Sequence, residues 1–269
     1  MALIAMAVWD TVENKRTRYT HETLHNLLNT VDFNAHRLII SDNGSCDETL
    51  DLYKRFFLHF IEKYPYNNKL RIIHNGKNLG TAEAINKAWR LREPGENAIK
   101  MDNDVVIHQS GWVDDLEFAI VLDSKLGIVG LKRKDCWENP EHKDPFYKSE
   151  LKMLPHVPGC SWVVIEKVNH VMGTCQMYSS ALLDKIGYLQ QPSLYGFDDS
   201  WAAARCQVAG FYNAFLPHIN IDHIDTGGTD YQKWKEHHAS QQWKEYHEVL
   251  GQWRNGTRSV YYNPFKDRE

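Results

Sequence analysis

Asp102-Asn103-Asp104 follows the apolar run Ala98-Ile99-Lys100-Met101. In extended backbone alternate side chains face the same way, so Asp102 and Asp104 can present hard oxygens to one point. That donor set suits Mg2+ or Mn2+, and a diphosphate can add oxygens to the same ion. The triplet alone is weak evidence, because acidic clusters also open turns and helices. Three further sets follow apolar runs: Trp9-Asp10-Thr11, Asp42-Asn43-Gly44-Ser45 and Asn75-Gly76-Lys77-Asn78. Three of the four sets carry carboxylates, which makes an acidic, oxygen-rich site the first expectation.

The elements that must position these groups alternate. Short apolar runs at 3–8, 37–41, 70–74 and 98–101 read as strands too hydrophobic to have a wet face. Between them Leu24, Leu27, Leu28 and Val31 keep helical spacing, as do Leu50, Tyr53, Phe57, Phe60 and Ile61, and a third helix spans about 81–92. This order predicts an α/β fold with a mostly parallel central sheet covered by helices on both faces. Ligands gather at the carboxyl ends of such strands, which is where the four sets fall. Further on, the sequence predicts a helix at 113–122, strands at 127–131, 161–165, 168–177 and 211–215, and a short helix at 180–186 ended by Gly187. The polar stretch 132–158 is long enough to be a functional loop.

Composition narrows the class. The chain has 269 residues with a net charge of −4, and no dense block of Lys and Arg gives a nucleic-acid signal. Cys46, Cys136, Cys160, Cys175 and Cys206 are widely spaced without a C-x-x-C pair, which argues against a disulfide framework or a zinc ribbon. The opening apolar stretch lacks a basic n-region and a cleavage site, and no window reaches the ~18 apolar residues of a transmembrane segment. A cytoplasmic location is expected. The anomaly is aromatic: 9 Trp and 13 Tyr.

Taken in order, Asp42-Asn43-Gly44-Ser45-Cys46-Asp47-Glu48-Thr49, Asn78-Leu79-Gly80-Thr81 through Asn86, and Lys100-Met101-Asp102-Asn103-Asp104 resemble the donor half of glycosyltransferase family 2, with its GT-A fold and Rossmann-like sheet. Gly173 to Tyr178, Leu182 to Gly187, Gly196-Phe197-Asp198-Asp199 and Pro217 to His223 resemble its acceptor half. The resemblance covers about residues 3–225. It implies a metal-dependent, inverting transfer of sugar from a nucleotide-sugar donor, UDP-linked by preference, to a hydroxyl acceptor. It places Val8, Trp9, Asp10, Asp42, Asn43, Asn78, Gly80, Asp102 and Asn103 around the nucleotide, and Asp102, Asp104 and His223 on Mn2+ or Mg2+. Asp198 is implied as the base, with Asp199 able to exchange roles; both are alternatively N-caps. The sequence departs from the family where Val8-Trp9-Asp10-Thr11 replaces its usual Pro and Tyr-Asn-like pair, and where Phe197 precedes Asp198 in place of an acid.

The resemblance divides the chain into a transferase domain, 1–230, with a donor half (1–104) and an acceptor half (105–230), and an aromatic-rich C-terminal helical extension, 231–269. There Trp243, Tyr246, Leu250 and Trp253 share one helical face, while Trp234 falls opposite, in a separate segment or an exposed stacking site. Two rival functions are a nucleotidylyltransferase, for which the loop after the first strand is neither glycine-rich nor basic, and a noncatalytic nucleotide or carbohydrate-binding module.

Overall fold

A computed structural model describes residues 1–135, 149–155, 158, 159, 162–225, 227 and 230–266. The expected alternation is present as β1 (Ala2–Val8), α1 (Thr17–Thr30), β2 (Arg37–Asp42), α2 (Asp47–Lys63), β3 (Leu70–His74), α3 (Thr81–Trp89) and β4 (Asn97–Met101). The chain continues through β5 (Val105–Ile107), α4 (Trp112–Leu122), β6 (Leu126–Arg133), β7 (Glu150–Met153), β8 (Val164–Val168), β9 (Cys175–Tyr178) and α5 (Ser180–Ile186). It ends with α6 (Asp198–Val208), β10 (Tyr212–His223), α7 (Asp230–Gln241) and α8 (Trp243–Arg254).

One sheet runs β3-β2-β1-β4-β9-β6-β10-β8-β7, with β5 beside β10. Pairs β1/β2, β1/β4, β2/β3 and β6/β10 are parallel, and β9 is inserted antiparallel between β4 and β6. β1 is buried almost throughout, as a strand covered on both faces requires. Leu24, Phe60 and Trp112 bring α1, α2 and α4 onto one face, and Ile85, Leu182 and Ala202 bring α3, α5 and α6 onto the other. Each helix removes an apolar stripe from water at about 25 cal/mol per Å², which fixes the strand ends between them.

Several boundaries differ from expectation. The strand expected at 211–215 continues through Pro217 to His223, because a register shift between Leu216 and Asn220 accommodates the proline. The stretch 168–177 is divided between β8 and β9. The helix expected at 81–92 stops at Trp89. Most of the 132–158 loop, including Cys136, lies outside the described residues, as does Cys160; among the described residues Cys46, Cys175 and Cys206 are free thiols.

The C-terminal segment holds two helices, α7 and α8. Leu250 and Trp253 are buried against Trp201, with the Trp201 and Trp253 rings 5.4 Å apart, whereas Trp243, on the first turn of α8, is 54% exposed. Beyond α8, Tyr262 pairs with Gly187, and buried Arg205 donates to the carbonyls of Ile186, Tyr188 and Val260. The chain's end is thereby fastened to α5 and α6.

Candidate functional site

The carboxyl ends of β1, β2, β4 and β10, the turn before α3, and the starts of α6 and α7 enclose a cavity of about 810 Å³. Val8, Trp9, Asn43, Asn78, Gly80, Asp102, Asn103, Asp104, Asp198, Asp199 and His223 all line it. Asp42 and Asp10 do not.

Asp42 is 2% exposed and accepts from the Gly44 and Ser45 amides and the Tyr53 hydroxyl, so it shapes the loop carrying Asn43. Asn43 in turn donates to the Gly80 carbonyl at 3.2 Å, and the Gly80 amide donates to Asn78 Oδ1 at 2.9 Å. Gly80 has φ +82°, and a Cβ there would lie 2.8 Å from the Leu194 carbonyl oxygen and 2.9 Å from its Cα. Gly80→Ala is therefore expected to destabilise the fold by about 3 kcal/mol, combining a glycine-only conformation with a backbone clash. Urea denaturation checks this; a cost near zero would contradict it.

Asp10 is fully buried beneath the cavity, accepting from the Thr20 and Thr49 hydroxyls and from Asn103 Nδ2. Burial pushes its carboxyl from 3.8 up to about 6, against the opposing pull of Thr20 and Arg16. The folded chain thus holds this proton more tightly than the unfolded chain. The group's contribution to stability is greatest below pH ~4, declines by about 3 kcal/mol as pH rises through the folded value, and is flat above it. The difference in stability between wild type and Asp10→Asn should follow that slope from pH 4 to 7; parallel profiles would contradict it.

Asp104 marks the deepest corner. Its Oδ2 accepts from Arg16 Nη2 at 2.5 Å and lies 3.4 Å from His223 Nε2, while its Oδ1 is buried with no hydrogen-bond partner. Burial opposes the charge, yet His223, Arg16 and Lys235 together hold this carboxyl well below the usual carboxylate range. Asp102, on the same side of the cavity, pairs with Lys100 Nζ at 3.1 Å and keeps partial exposure. The partner-free Oδ1 of Asp104, the His223 imidazole beside that carboxylate and the partly exposed Asp102 of the same cavity are donors of the kind that suit a hard divalent ion. Among the described residues, three ligand atoms already lie within 4.8 Å of one another at a different place, His36, Asp114 and Glu117. That group is engaged by the Ala2 amide and Asn97, at the opposite ends of β1 and β4.

Across the cavity Asp198 and Asp199 open α6. Asp199 Oδ2 accepts from the Gly173 amide at 2.9 Å and lies 3.3 Å from His170 Nε2, and its Oδ1 accepts from the Ser200 amide at 2.7 Å. Burial notwithstanding, His170 and Lys100 keep it ionised well below the usual range. Asp198 Oδ2 has no hydrogen-bond partner and lies 3.3 Å from Lys100 Nζ. Burial pushes the Asp198 carboxyl up, Lys100 pulls it back, and the like charges of Asp199 and Asp102 add to the rise. The N-cap position of α6 is held by Phe197, so neither Asp198 nor Asp199 is the N-cap, and Asp199 instead accepts from the first-turn Ser200 amide.

Residues 14–187, more than half of the chain, match the family described as Glycosyl transferase family 2. The chain belongs to glycosyl transferase family 2. No curated protein matches this family 2 chain significantly by sequence. Solved structures match its fold. The mannosyltransferase PcManGT from Pyrobaculum calidifontis, solved with GDP-Man and Mn2+, has 15% identity and a TM-score of 0.64, over 87% of this chain and 60% of that one. TarS 1–349 from S. aureus has 17% identity and a TM-score of 0.56, over 82% and 60%. GalNAc-T7, solved with UDP, GalNAc and Mn2+, has 12% identity and a TM-score of 0.58, over 83% and 44%. The family 2 chain therefore spans 60% or less of these solved chains. The central sheet, largely parallel with helices on both faces, is the GT-A architecture.

The family 2 site also contains residues that the sequence did not single out. Lys100 is buried and donates to the Gly173 carbonyl at 2.6 Å while facing Asp102 and Asp198, so one cation ties the two walls together. The i, i+2 spacing of Lys100 and Asp102 was the available signal. Tyr231, Trp234 and Lys235 of α7 reach the cavity with Tyr195. Trp234, which the sequence did single out as lying in a separate segment or an exposed stacking site, sits on α7, apart from the α8 that carries Trp243 and Trp253, and its ring is 5.2 Å from that of Trp9. Lys235 Nζ sits 4.7 Å from the Tyr231 ring centre and 5.3 Å from that of Tyr195.

Proposed function

We propose that this chain is a metal-dependent, inverting glycosyltransferase that moves a sugar from a nucleotide donor, UDP-linked by preference, to a hydroxyl acceptor. The observation that carries the reading is one cavity, in a family 2 chain, with Asp102 and Asp104 on one wall and Asp198, paired with Lys100, on the other. Its volume is of the size that small-molecule sites have. The solved TarS complexes with UDP and UDP-GlcNAc support a uridine donor.

Asp102, Asp104 and His223 would hold Mn2+ or Mg2+, whose chemistry when bound is to offset charge growing on a departing diphosphate. Asn43, Asn78 and Gly80, hydrogen-bonded to one another, would form the polar wall against the nucleotide, and Trp9 offers a ring face. Asp198 accepts the proton of the acceptor hydroxyl as that oxygen attacks the anomeric carbon from the face opposite the diphosphate, which inverts the configuration. Asp199, committed to Gly173, His170 and Ser200, fixes the first turn of α6 and so aims Asp198. Lys100 keeps Asp198 charged in its buried place.

In this reading residues 1–104 form the donor half and 105–230 the acceptor half of the transferase domain, and the extension 231–269 contributes the cavity roof through α7. The free thiols Cys46, Cys175 and Cys206 support a cytoplasmic location. Among the described residues no helix is long and apolar enough to cross a membrane. The test is a panel of UDP- and GDP-sugars with Mn2+, followed for slow donor hydrolysis, which needs no acceptor. No turnover and no thermal shift with any donor would overturn the reading, and thermal shifts with no hydrolysis or transfer would favour a binding module.

A further inference from the structure

Arg16 stands at the residue before α1, where no side chain caps the helix, and is 3% exposed. The turn that delivers it is stitched by Asn14, which accepts from the Thr11 and Arg16 amides at 2.8 and 3.1 Å and donates to the Trp9 carbonyl at 2.8 Å. One guanidinium nitrogen donates to Asp104 Oδ2 at 2.5 Å and the other to Asp225 Oδ2. The carbon between them lies 4.6 Å from the Tyr231 ring centre and 5.3 Å from that of Tyr19. A buried cation with two carboxylates and two aromatic rings is held far more firmly than a surface arginine.

We infer that Arg16 is a built-in competitor for the carboxylate that takes the divalent ion, so that metal affinity at Asp104 is set by how firmly Arg16 is held. The inference rests on the metal-dependent reading above and adds a residue to it. Arg16 and the ion both draw on the negative charge of Asp104. With the guanidinium on Oδ2, only Oδ1 is left without a partner for an incoming ion, and a fixed positive charge stands beside it. Coulomb repulsion at that range is large inside a protein. Asp225 and Tyr231 give the guanidinium a second seat, so it can remain buried and paired as its hold on Asp104 weakens. Lys235, above Tyr231, adds a second positive charge facing Asp104.

The test is Mn2+ binding by electron paramagnetic resonance of the free ion, without nucleotide, on wild type, Asp104→Asn, Arg16→Gln and Arg16→Lys. Expected are saturable binding that Asp104→Asn abolishes, and binding about tenfold tighter in Arg16→Gln, within the range of ordinary coupling between sites. Arg16→Lys keeps a charge for folding but reaches a single carboxylate, and should bind about threefold tighter. A purely structural Arg16 would weaken metal binding on removal, so tighter binding separates the two roles. If Arg16→Gln does not fold, Arg16→Lys decides alone. Asp104-dependent binding in wild type that is no tighter in the folded variant overturns the competition and leaves the transferase reading intact. No saturable Mn2+ binding in any of the proteins overturns both the competition and the metal assignment.

Discussion

Asp198→Asn is expected to lower the rate of transfer by about 10³-fold while leaving donor binding and melting temperature close to wild type. The amide keeps the shape of the side chain but cannot take a proton, so the loss falls on the step in which the acceptor hydroxyl attacks. Stability is spared because the charge removed is one that burial disfavours, and Lys100 retains Asp102 and the Gly173 carbonyl. A base must be ionised to act, so wild-type activity should fall as pH drops through the Asp198 value, which stands above the ordinary carboxylate range. Transfer measured against pH with saturating donor, beside donor hydrolysis, checks both statements. A folded Asp198→Asn protein with full transfer would remove this residue from the mechanism and turn attention to Asp199, whose fixed hydrogen bonds leave it less free to accept a proton.

The second large effect concerns Asp104→Asn, for which transfer should fall by about 10²–10³-fold and Mn2+ should cease to stimulate what remains. Among the described residues of this corner, Asp104 supplies an ionised oxygen that is both buried and partner-free. Arg16 keeps Asp225 in the variant, so the fold should survive with a loss of about 2 kcal/mol. Activity over a Mn2+ titration, with circular dichroism for folding, decides it. Undiminished stimulation by Mn2+ would place the ion elsewhere.

Much of this geometry could be read from residues in order. β1 to β4 announced themselves as short, mostly apolar runs, although edge strand β3 leaves Arg71 and His74 exposed against the expectation of no wet face, and the short helix ends as expected at Gly187, which takes φ +70°. The cavity wall built by Asn43, Asp102 and Asp104 followed because chemistry collects where parallel strands end. β5 and β7 escaped since three or four residues carry too little periodicity, and β5 directly follows an acidic triplet that reads as a turn. Arg16 and Lys235 escaped for another reason. They lie more than 200 residues apart, neither sits in an apolar pattern, and only folding places both against Asp104. Asp10 and Asp42 show the reverse: carboxylates at strand ends that the backbone loops themselves consume.

The rings of Trp9 and Trp234, 5.2 Å apart at a 48° tilt, with Tyr231 and Tyr195 within 6.1 Å of Trp234, give the protein an optical reporter. Two indoles that close exchange excitation, and their coupled near-ultraviolet signal depends steeply on their separation and angle. A nucleobase or sugar entering between the first strand's loop and α7 would change both. Occupancy of the cavity can then be followed by light on the unlabelled chain, and a Trp234→Phe variant would extinguish the coupled band while sparing the buried Trp112 and Trp253 background.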